Sequence, residues 1–272
     1  MSESLLKLNA HFTFGENWAD YARLINPKRI SWAEDSLIRL IGREAIQGRT
    51  FLDIGSGSGL FSLAALRLGC RSLLAVDIDP KSVETTRATL HRWAGREGWD
   101  CQNISVFDLA SKDVGKFDIV YSWGVLHHTG DMYRAITAAA ERVSPGGLFA
   151  VALYRKTPFC GFWRIEKKFY THSPRWVQRA IQRMYIALYA GRLALRARTL
   201  RTHMEDYYLG RGMNFYHDVH DWLGGYPYES IRPEQMTPFM ENRGFRLTRS
   251  FVYPCFGLLG TGNDEYCFQN QA

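Results

Sequence analysis

The chain has 272 residues, 46% of them hydrophobic and 22% charged, which suffices for one large buried core with an insertion or for two small domains. These figures exclude an extended disordered chain, a collagen-like repeat and a coiled coil. The net charge of +7 is unevenly placed: residues 155–211 hold thirteen Lys and Arg against Glu166, Glu205 and Asp206, a local balance of +10, and the remainder is slightly acidic.

No apolar run approaches the roughly 18–20 residues of a membrane span, and the longest, such as Leu148–Leu153, are strand-sized, so no stable membrane insertion is expected. The opening MSESLLKLNAHF lacks a basic stretch followed by an apolar run, which predicts no secretory signal. Five widely spaced cysteines (70, 101, 160, 255, 267) without a CxxC pair read as reduced thiols, and with the missing signal they predict a cytoplasmic protein.

In chain order, residues 1–48 read as a helical cap, with Ile30, Ala33, Leu37, Leu40 and Ile41 at helical spacing. A strand at 49–54 ends in a glycine cluster, and a helix follows from Leu60 to Leu68. Ser72–Val76 is a second strand ending at Asp77, with a helix from Asp79-Pro80 to about Trp93. Asn103–Phe107 reads as a third strand ending at Asp108, Phe117–Ser122 as a fourth, and Tyr133–Val143 as a helix. Ser144-Pro145-Gly146-Gly147 reads as a turn before a fifth strand, Leu148–Tyr154. Strand–helix alternation with near-continuously apolar strands predicts a parallel sheet with helices on both faces, residues 49–155 forming a Rossmann-like core. In such sheets ligands lie beyond the carboxyl ends of the strands, where Asp53, Gly55, Asp77, Asp108, Ser122, Trp123 and Tyr154 are expected.

Residues 156–231 read as a helical, basic and aromatic insertion. From Arg175 to Leu200, Trp176, Ala180, Met184 and Leu188 with Val177, Ile181 and Tyr185 form one broad apolar stripe. A helix at 233–243 and two strands, Phe245–Tyr253 and Glu265–Gln269, complete a seven-stranded, mostly parallel sheet in segment 232–272.

The chemistry begins at Asp53-Ile-Gly55-Ser56-Gly57-Ser-Gly59. Glycines are needed where φ is positive or where no Cβ may intrude on a ligand. A dinucleotide fingerprint requires GxGxxG. Here the third glycine comes one residue early and Leu60 occupies its place, while Asp53 at the mouth disfavours phosphate and suits a cationic ligand.

Asp53-x-Gly55-x-Gly57-x-Gly59 resembles the first motif of class I S-adenosylmethionine-dependent methyltransferases, and residues 50–155 resemble that family throughout, in its small-molecule branch of the quinone-biosynthesis type. The resemblance implies S-adenosyl-L-methionine as cofactor, held by Asp53, Gly55, Ser56, Gly57 and Gly59. It implies Asp77, with Ile78, on the ribose hydroxyls, and Asp108 between Phe107 and Leu109 at the adenine. The run Asp118-Ile-Val-Tyr121-Ser122-Trp123-Gly124-Val125-Leu-His127-His128 resembles the fourth motif, with Ser122 and Trp123 against the cofactor. The Asn/Asp-Pro-Pro-Tyr/Phe sequence of enzymes methylating amide and base nitrogens is missing at Ser122–Val125.

A histidine can take a proton as the methyl moves, which makes His127 a base candidate and His128 a neighbour of the acceptor; a helix-capping or pocket-lining role is the alternative for both. Trp18, in Phe12-Thr13-Phe14-Gly15-Glu16-Asn17-Trp18, reads either as a cover for the cofactor or as packing of the cap. Tyr207, Tyr208, Phe215, Tyr216, Trp222, Tyr226 and Tyr228, interleaved with His217, Asp218, His220 and Asp221, form either a substrate lid or rings packed on the sheet. The lid reading puts Tyr216 and His217 among the catalytic candidates and Asp221, Trp222 and Tyr226 at the acceptor, joined by Tyr154 and by Asn263 ahead of the last strand. No metal is expected, because the His217–Asp221 spacing matches no ligand pattern. The expected reaction is transfer of a methyl group to oxygen or nitrogen of a small acceptor by in-line displacement. An alternative is a protein or carrier-bound, anionic substrate docked on the basic insertion; a cofactor-binding module without turnover is a third reading. DNA is not expected, because the basic residues spread along helices without a binding module.

Overall fold

The computed structural model describes residues 14–95, 97–204, 215–253, 255, 257–258 and 260–272; Phe12, Thr13, Glu205, Asp206, Tyr207, Tyr208 and Arg211 lie outside the described residues. One sheet contains β1 (Thr50–Ile54), β2 (Ser72–Asp77), β3 (Trp99–Asn103), β4 (Phe117–Trp123), β5 (Val143–Tyr154), β6 (Phe245–Phe251) and β7 (Asn263–Asn270). Its order is β3-β2-β1-β4-β5-β7-β6. Strands β1 to β5 run parallel, and β7 runs antiparallel to both β5 and β6. This is the expected Rossmann-like, seven-stranded, mostly parallel sheet. Chain order reverses between β1 and β4, so the connections leaving those strands diverge and open a crevice at their carboxyl ends.

Alternation along the strands divides the core into two layers. Phe51, Ile119, Tyr121 and Ala150 face α1 (Phe14–Ala22), α2 (Pro27–Leu40), α4 (Leu60–Arg67) and α5 (Pro80–Trp93), where Tyr21, Leu37, Leu63 and Leu90 meet them. Leu52, Val120, Phe149 and Val151 face α6 (Met132–Ala140) and α10 (Pro233–Glu241), where Ile136, Met236 and Met240 lie. A short α3 (Arg43–Ile46) leads into β1. The insertion comprises α7 (Cys160–His172), α8 (Arg175–Ala194) and α9 (Phe215–Gly224), with a third core of Trp163, Tyr170, Tyr185, Phe215, Val219, Leu223 and Tyr228. Burial of both sheet faces is why the central strands read as continuous apolar runs.

Four expectations need correction. The third strand lies earlier, at Trp99–Asn103, and Val106–Asp108 is a turn of 3-10 helix; β3 is an edge strand with one buried face, so its sequence is polar. Residues 144–147 are not a turn but an irregular part of β5: Phe117 pairs with Val143 and Ile119 with Leu148, so the extra residues bulge. Gly147 fits there because a Cβ would stand 2.8 Å from the Asp118 carbonyl oxygen. Asn263 and Asp264 lie within β7 rather than ahead of it, and Asp264 accepts three hydrogen bonds from the Arg155 guanidinium at 2.8–3.1 Å. The α8 stripe divides: Ile181 and Tyr185 pack on the insertion core, whereas Trp176, Met184 and Leu188 are exposed. Its rows span more of the helix than one packed neighbour covers.

Candidate active site

The glycine loop is shaped by what lies against it. Gly55 and Ser56 N–H both donate to the Val76 carbonyl, folding the loop over the end of β2. Gly55 has φ +79°, and a Cβ there would lie 2.4 Å from Val125 in the loop after β4. Gly57 has φ +54°, and a Cβ would meet the Trp18 indole at 3.1 Å, so the bare backbone forms a cradle under that ring. Gly59 serves a different contact, the close approach of α4 to the Thr86 backbone.

Two acids close β1 and β2. Asp77 Oδ2 accepts the Gly57 N–H at 3.1 Å and Oδ1 accepts the Asp79 N–H at 2.9 Å, which fixes the carboxylate beside the loop. Burial pushes its pKa up to about 6. Asp53 lies beneath the loop, accepts the Ser62 hydroxyl at 2.5 Å, and is raised by burial to about 7. Asp53 therefore braces α4 and does not present a fixed charge at the mouth. Asp79 caps α5 and accepts the Gly15 N–H at 3.0 Å, tying α1 over the crevice.

The resulting cavity encloses about 1210 Å³ of space, counting its open mouth. Of the expected cofactor residues, Gly55, Ser56, Gly57, Asp77, Ile78, Phe107 and Trp123 line it. Asp53, Gly59, Leu109 and Ser122 support that wall from outside, Ser122 by donating to the Ile54 carbonyl at 3.0 Å, while Asp108 is solvent-exposed. Trp18 and His128 also line the cavity, together with Phe14, Tyr21, Trp32, Phe61, Val125 and Thr129. The aromatic end comes from the cap and α4: Phe61 stacks 6.0 Å from Trp123 and meets Trp32 at 5.9 Å.

The adjacent histidines hold opposite tautomers. His127 is fully buried outside the cavity lining, and its Nδ1 accepts the Tyr154 N–H at 3.3 Å. The neutral ring thus carries its proton on Nε2, and burial holds its pKa well below the usual range. His128 directs Nδ1 to the Pro227 carbonyl at 2.8 Å. A carbonyl only accepts, so in the neutral ring Nδ1 keeps the proton and Nε2 is the basic nitrogen. Of the two, His128 has the geometry of a proton acceptor at the cavity.

The rings of α9 face a different direction from the cavity. His217 Nδ1–H donates to the Asn17 Oδ1 at 2.8 Å, latching α9 to α1, and burial lowers its pKa. Tyr216 is about half exposed. Trp222 packs on Tyr154 at 5.2 Å and on Trp163 at 5.1 Å, Tyr226 meets His172 at 5.9 Å, and Asp221 is buried with its pKa raised by desolvation. None of Tyr154, Tyr216, His217, Asp221, Trp222, Tyr226 or Asn263 lines the cavity. Tyr154 lies behind the histidines instead, its ring 3.9 Å from the His127 ring.

Sequence reasoning missed Trp32, Phe61 and Tyr21, which sit at core-facing helical positions and carry no local signal of a cavity. It also missed Lys167, whose fully buried ammonium lies 3.6 Å over the Trp222 ring and has no hydrogen-bond partner among the described residues. Burial lowers its pKa strongly.

Residues 52–149 match the methyltransferase domain family. The ubiquinone biosynthesis O-methyltransferase of Xanthomonas campestris pv. campestris is 34% identical over 134 residues, 49% of this chain and 52% of that protein. That of Rhodopseudomonas palustris is 32% identical over 133 residues, 47% and 51% of the respective chains. The chain thus spans about half the length of the curated relatives it matches. In crystal structures, the N-methyltransferase NodS of Bradyrhizobium japonicum in complex with S-adenosyl-L-homocysteine superimposes with a TM-score of 0.54 at 12% identity, covering 95% of this chain and 99% of that one. Magnesium protoporphyrin IX methyltransferase of Synechocystis with bound SAH gives 0.53 at 13% identity over 89% and 84%. These likenesses establish the shared fold. Residues 52–149 thus resemble a methyltransferase domain, and over 134 residues the sequence is similar to the ubiquinone biosynthesis O-methyltransferases.

Proposed function

We propose that this protein binds S-adenosyl-L-methionine in the cavity and transfers its methyl group to a small, flat, largely apolar acceptor carrying a hydroxyl or amine. One observation carries the reading: a single cavity joins the glycine cradle and Asp77 to a wall of Trp18, Trp32, Phe61 and Trp123. The bare Gly57 backbone lets Trp18 pack directly on the loop as one wall of the cavity, and Asp77, with one lone pair on each oxygen already used, has acceptor capacity left for ribose hydroxyls. Phe107 and Ile78 supply the apolar faces that a purine requires. Bound, the cofactor supplies a methyl group already activated on a sulfonium.

The chain's own residues do the rest. Gly55 and Gly57 bring the backbone close, the rings exclude water and orient the acceptor, and placement supplies much of the rate in an in-line transfer. His128 Nε2 accepts the proton released from the acceptor hydroxyl or ammonium. The test is methyl transfer from labelled cofactor across hydroxylated aromatic acceptors of increasing apolar area. Turnover that grows with apolar area and falls in Trp123→Ala supports the reading. Binding of NADH in place of S-adenosyl-L-homocysteine refutes it.

A further inference from the structure

Helix α8 carries apolar side chains that no other described residue buries. Trp176, Met184 and Leu188 are 73%, 60% and 58% exposed, and with Ala180 they form a single row at i, i+4 spacing along one side. The adjoining row is Arg175, Arg179 and Arg183, all exposed. The opposite side of the helix is accounted for: Ile181, Tyr185 and Tyr189 pack into the insertion core, and the Gln178 and Gln182 amides donate to Tyr170. Just beyond the helix, Leu195 is 90% exposed beside Arg196 and Arg198. Helix α7 repeats the composition, with Phe162, Ile165 and Phe169 exposed at i, i+3, i+7 and with Arg164 and Lys168 exposed nearby.

Single exposed apolar residues are ordinary, but an ordered row ending in a tryptophan and bordered by arginines is a surface made for a partner. Charge decides the partner. Between residues 156 and 204 Glu166 is the only acid, against eleven Lys and Arg, and the excess positive charge of the chain resides in this segment. An apolar row bordered by cations fits the boundary between anionic headgroups and acyl chains, where tryptophan and arginine stems straddle the interface. No described helix is long and apolar enough to cross a membrane, so such a helix lies in the plane of the surface.

We infer that α8 is a peripheral membrane-docking element, resting its Trp176–Leu188 row on an anionic phospholipid surface with Arg175, Arg179 and Arg183 among the headgroups. The occupant is the bilayer and not a second copy of the chain, because two copies would bring the same cationic rows together. Docking would bring a cavity with an apolar, aromatic wall to the phase where apolar acceptors concentrate.

The experiment is co-sedimentation of the full chain with phosphatidylcholine vesicles, with and without phosphatidylglycerol. The expected result is binding to the anionic vesicles alone, weakening as salt rises. Arg175→Gln, Arg179→Gln and Arg183→Gln together should weaken it on the order of 100-fold, at roughly fivefold per charge near the surface. Trp176→Ser, Met184→Ser and Leu188→Ser together should weaken it about tenfold or more while S-adenosyl-L-homocysteine binding and the circular dichroism spectrum stay unchanged. Equal binding to neutral and anionic vesicles, or no binding to either, overturns the inference. A concentration-dependent dimer abolished by the serine triple also overturns it, assigning the row to a second copy. The readout needs no turnover, so its failure leaves the methyl-transfer proposal intact.

Discussion

Asp77 gives the sharpest test of the cavity's chemistry. Its two oxygens are fixed by the N–H groups of Gly57 and Asp79, so the carboxylate meets a ligand without reorganising. Two ligand hydroxyls donating to a charged acceptor contribute about 1.5–3 kcal/mol each, and allowing for imperfect geometry we expect Asp77→Ala to lose about 3–4 kcal/mol, on the order of 100- to 1000-fold in affinity. Asp77→Asn keeps the volume but turns one acceptor into a donor aimed at an N–H, so it should be nearly as damaging. The wild type should also respond to pH. With the pKa raised to about 6, the carboxylate is ionised at pH 8 and increasingly protonated as pH falls through 6, so affinity should fall on acidification. Both variants should lose that dependence. Isothermal titration with S-adenosyl-L-homocysteine at pH 5.5 and 8 measures all three proteins. A wild-type affinity flat over this range, or an Asp77→Ala loss below about threefold, would refute the reasoning.

Gly57→Ala should weaken the same binding about tenfold, because φ +54° strains an alanine and its methyl meets Trp18 at 3.1 Å. Gly48→Ala, at φ +73° with open space around it, is the control that carries the strain alone and should bind normally in the same titration. His128→Ala should lower kcat about 100-fold or more with cofactor affinity retained, whereas His127→Ala should act mainly on the melting temperature, since its basic nitrogen is engaged by the Tyr154 N–H; steady-state kinetics and thermal melts separate the two. Lys167→Met should stabilise the fold by about 1–4 kcal/mol at pH 7, because a buried ammonium without a hydrogen-bond partner gives way to an apolar chain of similar length. The folded-state pKa of Lys167 is depressed, so the unfolded chain binds the extra proton and the gain should shrink as pH rises toward the unfolded lysine value. Urea unfolding at pH 6 and 9 checks the sign, and a destabilised variant at pH 6 contradicts it.

Local chemistry made the glycine-loop half of the cavity legible. Asp53-x-Gly55-x-Gly57-x-Gly59, Asp77 and the apolar strands are spaced by the βα repeat itself, so their order along the chain fixes their positions at one end of the sheet. Even there, strand ends were only partly readable. Edge strand β3 hides its period behind polar residues, and the bulge at 144–147 resembles a turn until its pairing with β4 is seen.

The aromatic half was decided by tertiary packing. Trp32 and Phe61 read as core residues on their own helices and become a cavity wall only where α2 and α4 cross the end of β4. The seven aromatics from Tyr207 to Tyr228 announce a lid by density alone, yet Phe215, Trp222 and Tyr228 turn into the insertion's own core. His127 and His128 differ in sequence by nothing but position. Their tautomers depend on a distant carbonyl at Pro227 and on the backbone at Tyr154, contacts between residues about 100 and 27 positions apart. Short-range spacing thus determined the fold and the glycine-loop wall of the cavity, because both repeat with the βα unit. Which side chains meet across the crevice depends on contacts between remote segments, and these exist only once the chain has folded.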